Sequence, residues 1–112
     1  MISNLYDIYM VEVEGQTIFV LDDADSILTI REKEYLSLVA MGFKNHEIAK
    51  ILFVSKSTVK KELEAIFKKL FATNRANAVA IAFVHQILNT YILTNIFEQY
   101  NLKEHEHFKR TT

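Results

Sequence analysis

The chain has 112 residues, half of them hydrophobic, a formal net charge of −1, and neither cysteine nor proline. That length holds one domain with a small core, and that composition favours a folded chain over a disordered one. A disulfide frame and a thiolate zinc site are excluded by the missing cysteine, and a bilayer span by the shortness of the longest apolar run, Ala78–Val84. No basic stretch followed by an apolar one opens the sequence, so no signal peptide, no membrane partner and a cytoplasmic location are expected. The near-neutral total conceals a strong asymmetry. Residues 1–30 carry six acids (Asp7, Glu12, Glu14, Asp22, Asp23, Asp25) and no base. Residues 31–75 carry ten bases against five acids, and residues 76–112 carry three of each. The middle zone alone has the charge suited to a nucleic-acid partner.

In chain order, Leu5, Ile8, Met10, Val11 and Val13 precede Glu14-Gly15, and Ile18–Leu21 follow. Gly15 supplies the positive φ of a tight turn, so a short N-terminal β-hairpin is expected, with an acidic link over Asp22–Ser26. The first helix is predicted over about Ile30–Met41. Thr29 caps it, Glu32 three residues on completes a capping box, and Gly42 stops it. The second is predicted over about Asn45–Phe53, burying Ile48, Ala49 and Leu52. Ser55 caps a third, Lys56–Phe71. Asn74 caps a fourth, running from Arg75 to at least Leu88. The segment from Asn89 to Leu102 either extends the fourth helix or forms a fifth after a break at Asn89-Thr90. Residues 103–112 are expected to fray.

At 3.6 residues per turn, the third helix places Val59, Leu63, Ile66, Phe67 and Leu70 on one face. Ser57, Lys61, Glu64 and Lys68 fall opposite, with Lys60 on one flank and Glu62 and Lys69 on the other. The short loop Val54-Ser55-Lys56 joins it to the second helix in helix-turn-helix geometry, whose second helix enters the DNA major groove. An ordinary solvated helix also fits. In it, Lys60–Glu64 and Glu64–Lys68 form i,i+4 pairs of about 0.2–0.5 kcal/mol each.

Other chemistry is poorly supported. His105 and His107 lack the further ligands of a closed metal site. Ser55, Ser57 and Thr58 sit at a helix start, where capping explains them better than nucleophilic catalysis does. No Gly-rich loop follows a strand. No enzyme, no metal and no cofactor is expected.

Residues 28–79 carry Thr29-x-Arg-Glu-Lys-Glu34, Leu36, Ala40-x-Gly42, Asn45-x-Glu-Ile-Ala49, Leu52, Ser55, Thr58-Val-Lys60, Ile66, Lys69-Leu70, Asn74-Arg75 and Ala78-Val79. At that spacing they resemble the LuxR-type (GerE-like) helix-turn-helix domain of bacterial transcription regulators. The resemblance implies a mainly α protein. A four-helix domain over residues 28–88 would follow the hairpin and linker of residues 1–27, with a helical extension and tail over 89–112. It implies that Lys60, Lys61 and Glu64 face the groove and that Thr58 and Lys60 contact phosphate. The chemistry agrees: lysine donates to guanine O6 and N7, and glutamate accepts from cytosine N4. Lys56, Ser57, Lys68 and Lys69, with Lys44 and Asn45 at the start of the second helix, complete the expected DNA-binding set.

Two positions depart from the family. Glu62 stands where histidine is usual, which predicts weaker or more salt-sensitive binding, or altered use of this helix. Lys44 stands where a hydroxyl is usual, so the cap of the second helix must come from Asn45, the Lys44 backbone or water. The 27 residues ahead of the motif are too few for a receiver or ligand-binding domain of the usual LuxR-type length, so none is expected within them. The acidic hairpin either caps the core or modulates DNA binding. Around the fourth helix, Val79, Ala82, Phe83, Gln86 and Ile87 trace one stripe, with Ile81, Leu88, Ile92 and Ile96 away from it. Apolar residues on several faces predict a homodimer through Phe83, Ile87, Leu88, Tyr91 and Phe97, the alternative being a wholly intramolecular core. The expected partner is double-stranded DNA. The alternative is a protein-interaction module acting on RNA polymerase or another regulator.

Overall fold

The computed structural model describes residues 7–22 and 27–109. Strands β1 (Asp7–Val13) and β2 (Gln16–Asp22) pair antiparallel about Glu14-Gly15. Residues 23–26, most of the expected acidic link, lie outside the described residues. Six helices follow: α1 (Ile30–Ala40), α2 (Asn45–Leu52), α3 (Lys56–Leu70), α4 (Arg75–Val84), α5 (Thr90–Gln99) and α6 (Glu106–Lys109), with a 3-10 turn at Leu102–Glu104. The mainly α class is the one expected.

The helix starts follow the sequence closely. The Thr29 hydroxyl accepts the Glu32 N–H at 3.1 Å while Glu32 Oε1 accepts the Thr29 N–H at 2.8 Å, a complete capping box. Ser55, Asn74 and Asn89 cap α3, α4 and α5 through their side-chain oxygens.

The helix ends are less orthodox. After each of α1 to α5 comes a residue at positive φ: Gly42, Phe53, Phe71, Gln86 and Asn101. At four of these ends the next N–H reaches back five residues. Phe43 donates to the Leu38 carbonyl, Val54 to Ala49, Ala72 to Phe67 and Ile87 to Ala82. This is the 6→1 closure that satisfies orphan carbonyls. Only one of the five positions is glycine, and Phe53 and Phe71 point outward at 92% and 90% exposure.

Two expectations are corrected here. The fourth helix does not run to Leu88. It stops at Val84, because the chain turns left-handed at Gln86, and a separate α5 begins at Thr90. Residues 103–109 do not fray: the 3-10 turn and α6 fold back against Phe43, whose ring lies 4.9 Å from His105 and 4.8 Å from His107 between centroids. Residues 110–112 lie outside the described residues.

One buried cluster unites the helices. Tyr35, Leu36 and Leu38 of α1, Ile48 and Leu52 of α2, and Val59, Leu63, Ile66 and Leu70 of α3 meet Ala78 and Ala82 of α4. Leu88, Ile96 and Leu102 complete it from the C-terminal segment. Small Ala78 and Ala82, both fully buried, let α4 approach α1 and α3 closely. Among the described residues no helix is long and apolar enough to cross a membrane.

Candidate nucleic-acid interface

The apolar stripe of α3 anchors it: Val59, Leu63, Ile66 and Leu70 are buried, and α3 packs against α1, α2 and α4. Its opposite side therefore has to face solvent. Lys56, Ser57, Lys60, Lys61, Glu64 and Lys68 are all exposed, and Thr58 is half-buried. Among the described residues two ion pairs occur, Arg31–Glu34 and Lys69–Glu32. Lys60–Glu64 and Glu64–Lys68 do not close, so those ammonium groups are not tied up within the helix.

The start of α3 is a knot of hydroxyls. The Ser55 hydroxyl accepts the Thr58 N–H at 3.1 Å and lies 2.8 Å from the Thr58 hydroxyl and 3.0 Å from that of Ser57. This is capping geometry.

Lys69 departs from the expected set. Its Nζ donates to both carboxylate oxygens of Glu32 at 2.8 Å, tying the end of α3 to the start of α1. Burial pushes the Glu32 carboxyl up, but the bonds from Lys69 and from the Thr29 N–H outweigh it and leave that carboxyl below its ordinary range. Lys69 is thus part of the frame, and its partner lay hidden in the capping box that the sequence did reveal.

Glu62 also sits away from the lysine row. It is half-buried, and its charge acts on the Tyr35 phenol. Burial first, then the pull of Arg31 in the opposite sense, then Glu62 set that phenol's affinity for its proton, which ends raised.

Helix α2, which packs against α3, starts at Asn45. Lysine has no acceptor, so the capping box there is half a box: the Lys44 N–H donates to Glu47 Oε1 at 2.9 Å. That bond, ahead of burial, holds the Glu47 carboxyl below its usual range, with His107, His105 and His46 adding to it. Lys44 itself is exposed. Asn45 does not cap the helix, because its Oδ1 accepts from Arg75 Nη1 at 2.7 Å, while Arg75 Nη2 donates to the Phe43 carbonyl at 2.9 Å. A cleft of ≈ 340 Å³ opens there, lined by Val39, Gly42, Phe43, Lys44, Asn45 and Arg75.

Of the expected dimer contacts, Leu88 is corrected. It is 1% exposed and belongs to the chain's own core, because the turn at Gln86 swings it inward. Phe83 is exposed, and Ile87, Tyr91 and Phe97 are half-buried. Val84, at 76% exposure, is an apolar surface residue the sequence reading passed over; it closes the apolar run Ala78–Val84. Among the described residues no cluster of three or more His, Cys, Asp or Glu is placed to hold a metal ion.

A probable csgAB operon transcriptional regulatory protein of Salmonella typhimurium is 47% identical over 57 residues, covering 51% of this chain and 26% of that protein. The response regulator protein VraR of Staphylococcus aureus is 40% identical over 62 residues, covering 55% and 30%. The chain thus spans under a third of the length of these relatives. Among solved structures, a chain of the Vibrio cholerae VqmA dimer, a LuxR-type receptor, is 22% identical with a TM-score of 0.49, covering 74% of this chain and 36% of that one. Residues 26–82, half of the chain, match the bacterial regulatory proteins of the luxR family (GerE), and the chain belongs to that family.

Proposed function

We propose that this chain binds duplex DNA sequence-specifically as a homodimer in the cytoplasm and regulates transcription, with α3 in the major groove. The observation that supports this most is the uncommitted lysine row on α3, set opposite a fully buried stripe. Residues 28–88 form the reading head. Lys60, Lys61 and Glu64 meet base edges, and Lys44, Asn45, Lys56, Ser57, Thr58 and Lys68 meet the backbone. Lys69 is left out because Glu32 holds it. A dimer through Phe83 and Val84, flanked by Ile87, Tyr91 and Phe97, sets two α3 helices on half-sites about 10 bp apart. The reading involves no catalysis and no cofactor.

The magnitude follows from the lysines. Each phosphate neutralised adds about −0.9 to the slope of log affinity against log salt, so Lys44, Lys56 and Lys68 give roughly −2.7 for each protomer engaged. Random duplex DNA, followed by fluorescence anisotropy, should lose about fortyfold in affinity per engaged protomer between roughly 50 and 200 mM salt. The double variant Lys60→Ala, Lys61→Ala should bind more weakly still and melt like the wild type. Absence of affinity even at low salt refutes the reading. A strictly monomeric species at micromolar concentration, by sedimentation, refutes the dimer.

A second reading is favoured by Phe53 and Phe71. Two large aromatics at about nine-tenths exposure, each at a left-handed backbone position, suit a protein partner such as RNA polymerase or another regulator.

A further inference from the structure

Asn45 and Arg75 form a pair that the DNA-binding reading does not itself require. Arg75 opens α4; Asn45 opens α2, thirty residues earlier. The guanidinium spans two acceptors, the Asn45 side-chain oxygen at 2.7 Å and the Phe43 main-chain oxygen at 2.9 Å. Arginine has no acceptor of its own, so the orientation of the Asn45 amide is settled by chemistry: the oxygen turns to Arg75. What is fixed for Asn45 is the direction of its NH₂ group, whose two donors point away from Arg75. The loop it leaves is also held from the other side. His105 and His107 pack on the Phe43 ring, and His107 Nε2 lies 3.3 Å from the Met41 carbonyl.

We infer that Arg75 is a positioning residue for DNA backbone binding. It fixes Asn45 so that the free amide donors meet a phosphate oxygen, and through Phe43 it fixes the loop that carries Lys44. The inference rests on the DNA-binding reading and deepens it. It also assigns Arg75 a part that is not electrostatic: its planar fork bridges two acceptors, which a lysine ammonium does not reproduce.

Three variants of the full chain test it, with melting temperature measured beside DNA affinity. Asn45→Asp keeps an oxygen for Arg75 and adds a charge, so the melting temperature should hold or rise. It replaces the donors by an anion facing phosphate, so affinity should fall by about tenfold or more. The added charge itself repels phosphate, so the neutral Asn45→Ala is measured beside it: it should lose affinity too, where a purely structural pair would lower the melting temperature alone. Arg75→Lys keeps the charge and loses the bridge. It should lose roughly threefold to tenfold in affinity, and the Asn45 side-chain amide signals of the free protein should move in its NMR spectrum. Asn45→Asp binding within about twofold of the wild type overturns the inference, as does Arg75→Lys doing so. The wild type and the Lys60→Ala, Lys61→Ala variant serve as controls. A wild type that binds no DNA sinks the underlying reading as well. A wild type that binds through its lysines, together with a tight-binding Asn45→Asp, sinks this inference alone.

Discussion

Replacing Glu32 by alanine removes two features at once. One is the carboxylate that accepts the Thr29 N–H and closes the capping box of α1. The other is the partner of Lys69, bound through both oxygens at 2.8 Å. The side chain of Glu32 is 8% exposed and that of Lys69 41%, so solvent screens the lysine side and holds the pair to about 1 kcal/mol. Losing half a capping box costs about 1 kcal/mol more. The sum, about 2 kcal/mol, corresponds to roughly 8 °C for a chain of this size. Glu32→Gln keeps an oxygen for the Thr29 N–H and loses the charge, so it should fall about half as far. The pH dependence carries a definite sign. A carboxyl held below its ordinary value contributes fully above its unfolded pKa, about 4.3, and loses that contribution as pH falls through the folded value. The gap between wild type and Glu32→Gln should therefore be widest near neutrality and close on acidification below about pH 4.3. Thermal melts followed by far-ultraviolet circular dichroism measure both quantities. A Glu32→Ala protein melting within about 2 °C of the wild type near neutrality would refute the reasoning, because 2 kcal/mol predicts a larger change.

Three further outcomes are expected. Phe71→Gly should raise stability by about 0.5–1 kcal/mol, because the phenyl ring is 90% exposed and the residue sits at φ 55, where glycine carries no Cβ penalty; a lowered midpoint in urea would contradict it. Tyr100→Phe should cost about 1 kcal/mol, since the phenol donates to Glu34 Oε2 at 3.0 Å. Burial first, and then that bond, raise the Tyr100 pKa, so its contribution holds below the unfolded value of about 10 and fades as pH rises through the folded one. Alkaline titration of the melting temperature in the two proteins checks it. Leu88→Ala should destabilise by about 2–4 kcal/mol as a core truncation, whereas Val84→Glu should leave the melt of the monomer unchanged and weaken self-association; sedimentation beside calorimetry separates the two.

What the sequence disclosed was local. Thr29 with Glu32, Ser55 and Asn74 announced helix starts because a cap acts within three residues, whereas the start at Asn89 was one of two open alternatives. The stripe from Val59 to Leu70 announced which face of α3 is buried because helical periodicity fixes it. What it withheld was long-range or unorthodox. The end of α4 at Val84 depends on a left-handed glutamine, and composition gives no warning of such a turn without glycine or asparagine. Leu88, expected as a dimer contact, therefore belongs to the chain's own interior. Lys69 with Glu32, and Arg75 with Asn45, pair residues 37 and 30 positions apart. Phe43 under His105 and His107 spans sixty or more. No pattern within one helix encodes those contacts. In the proposed interface they remove Lys69 and orient the Asn45 amide.

The returning C-terminal segment bears on how the chain is cut for experiments. A fragment ended at residue 82, where the family match stops, would strip the two imidazoles from Phe43 and remove Leu88, Ile96 and Leu102 from the interior. It would keep every proposed DNA contact and leave greasy ground uncovered beneath them, inviting precipitation. The shortest expression piece worth making extends through Lys109, the end of α6, with any purification tag placed past that closing wrap.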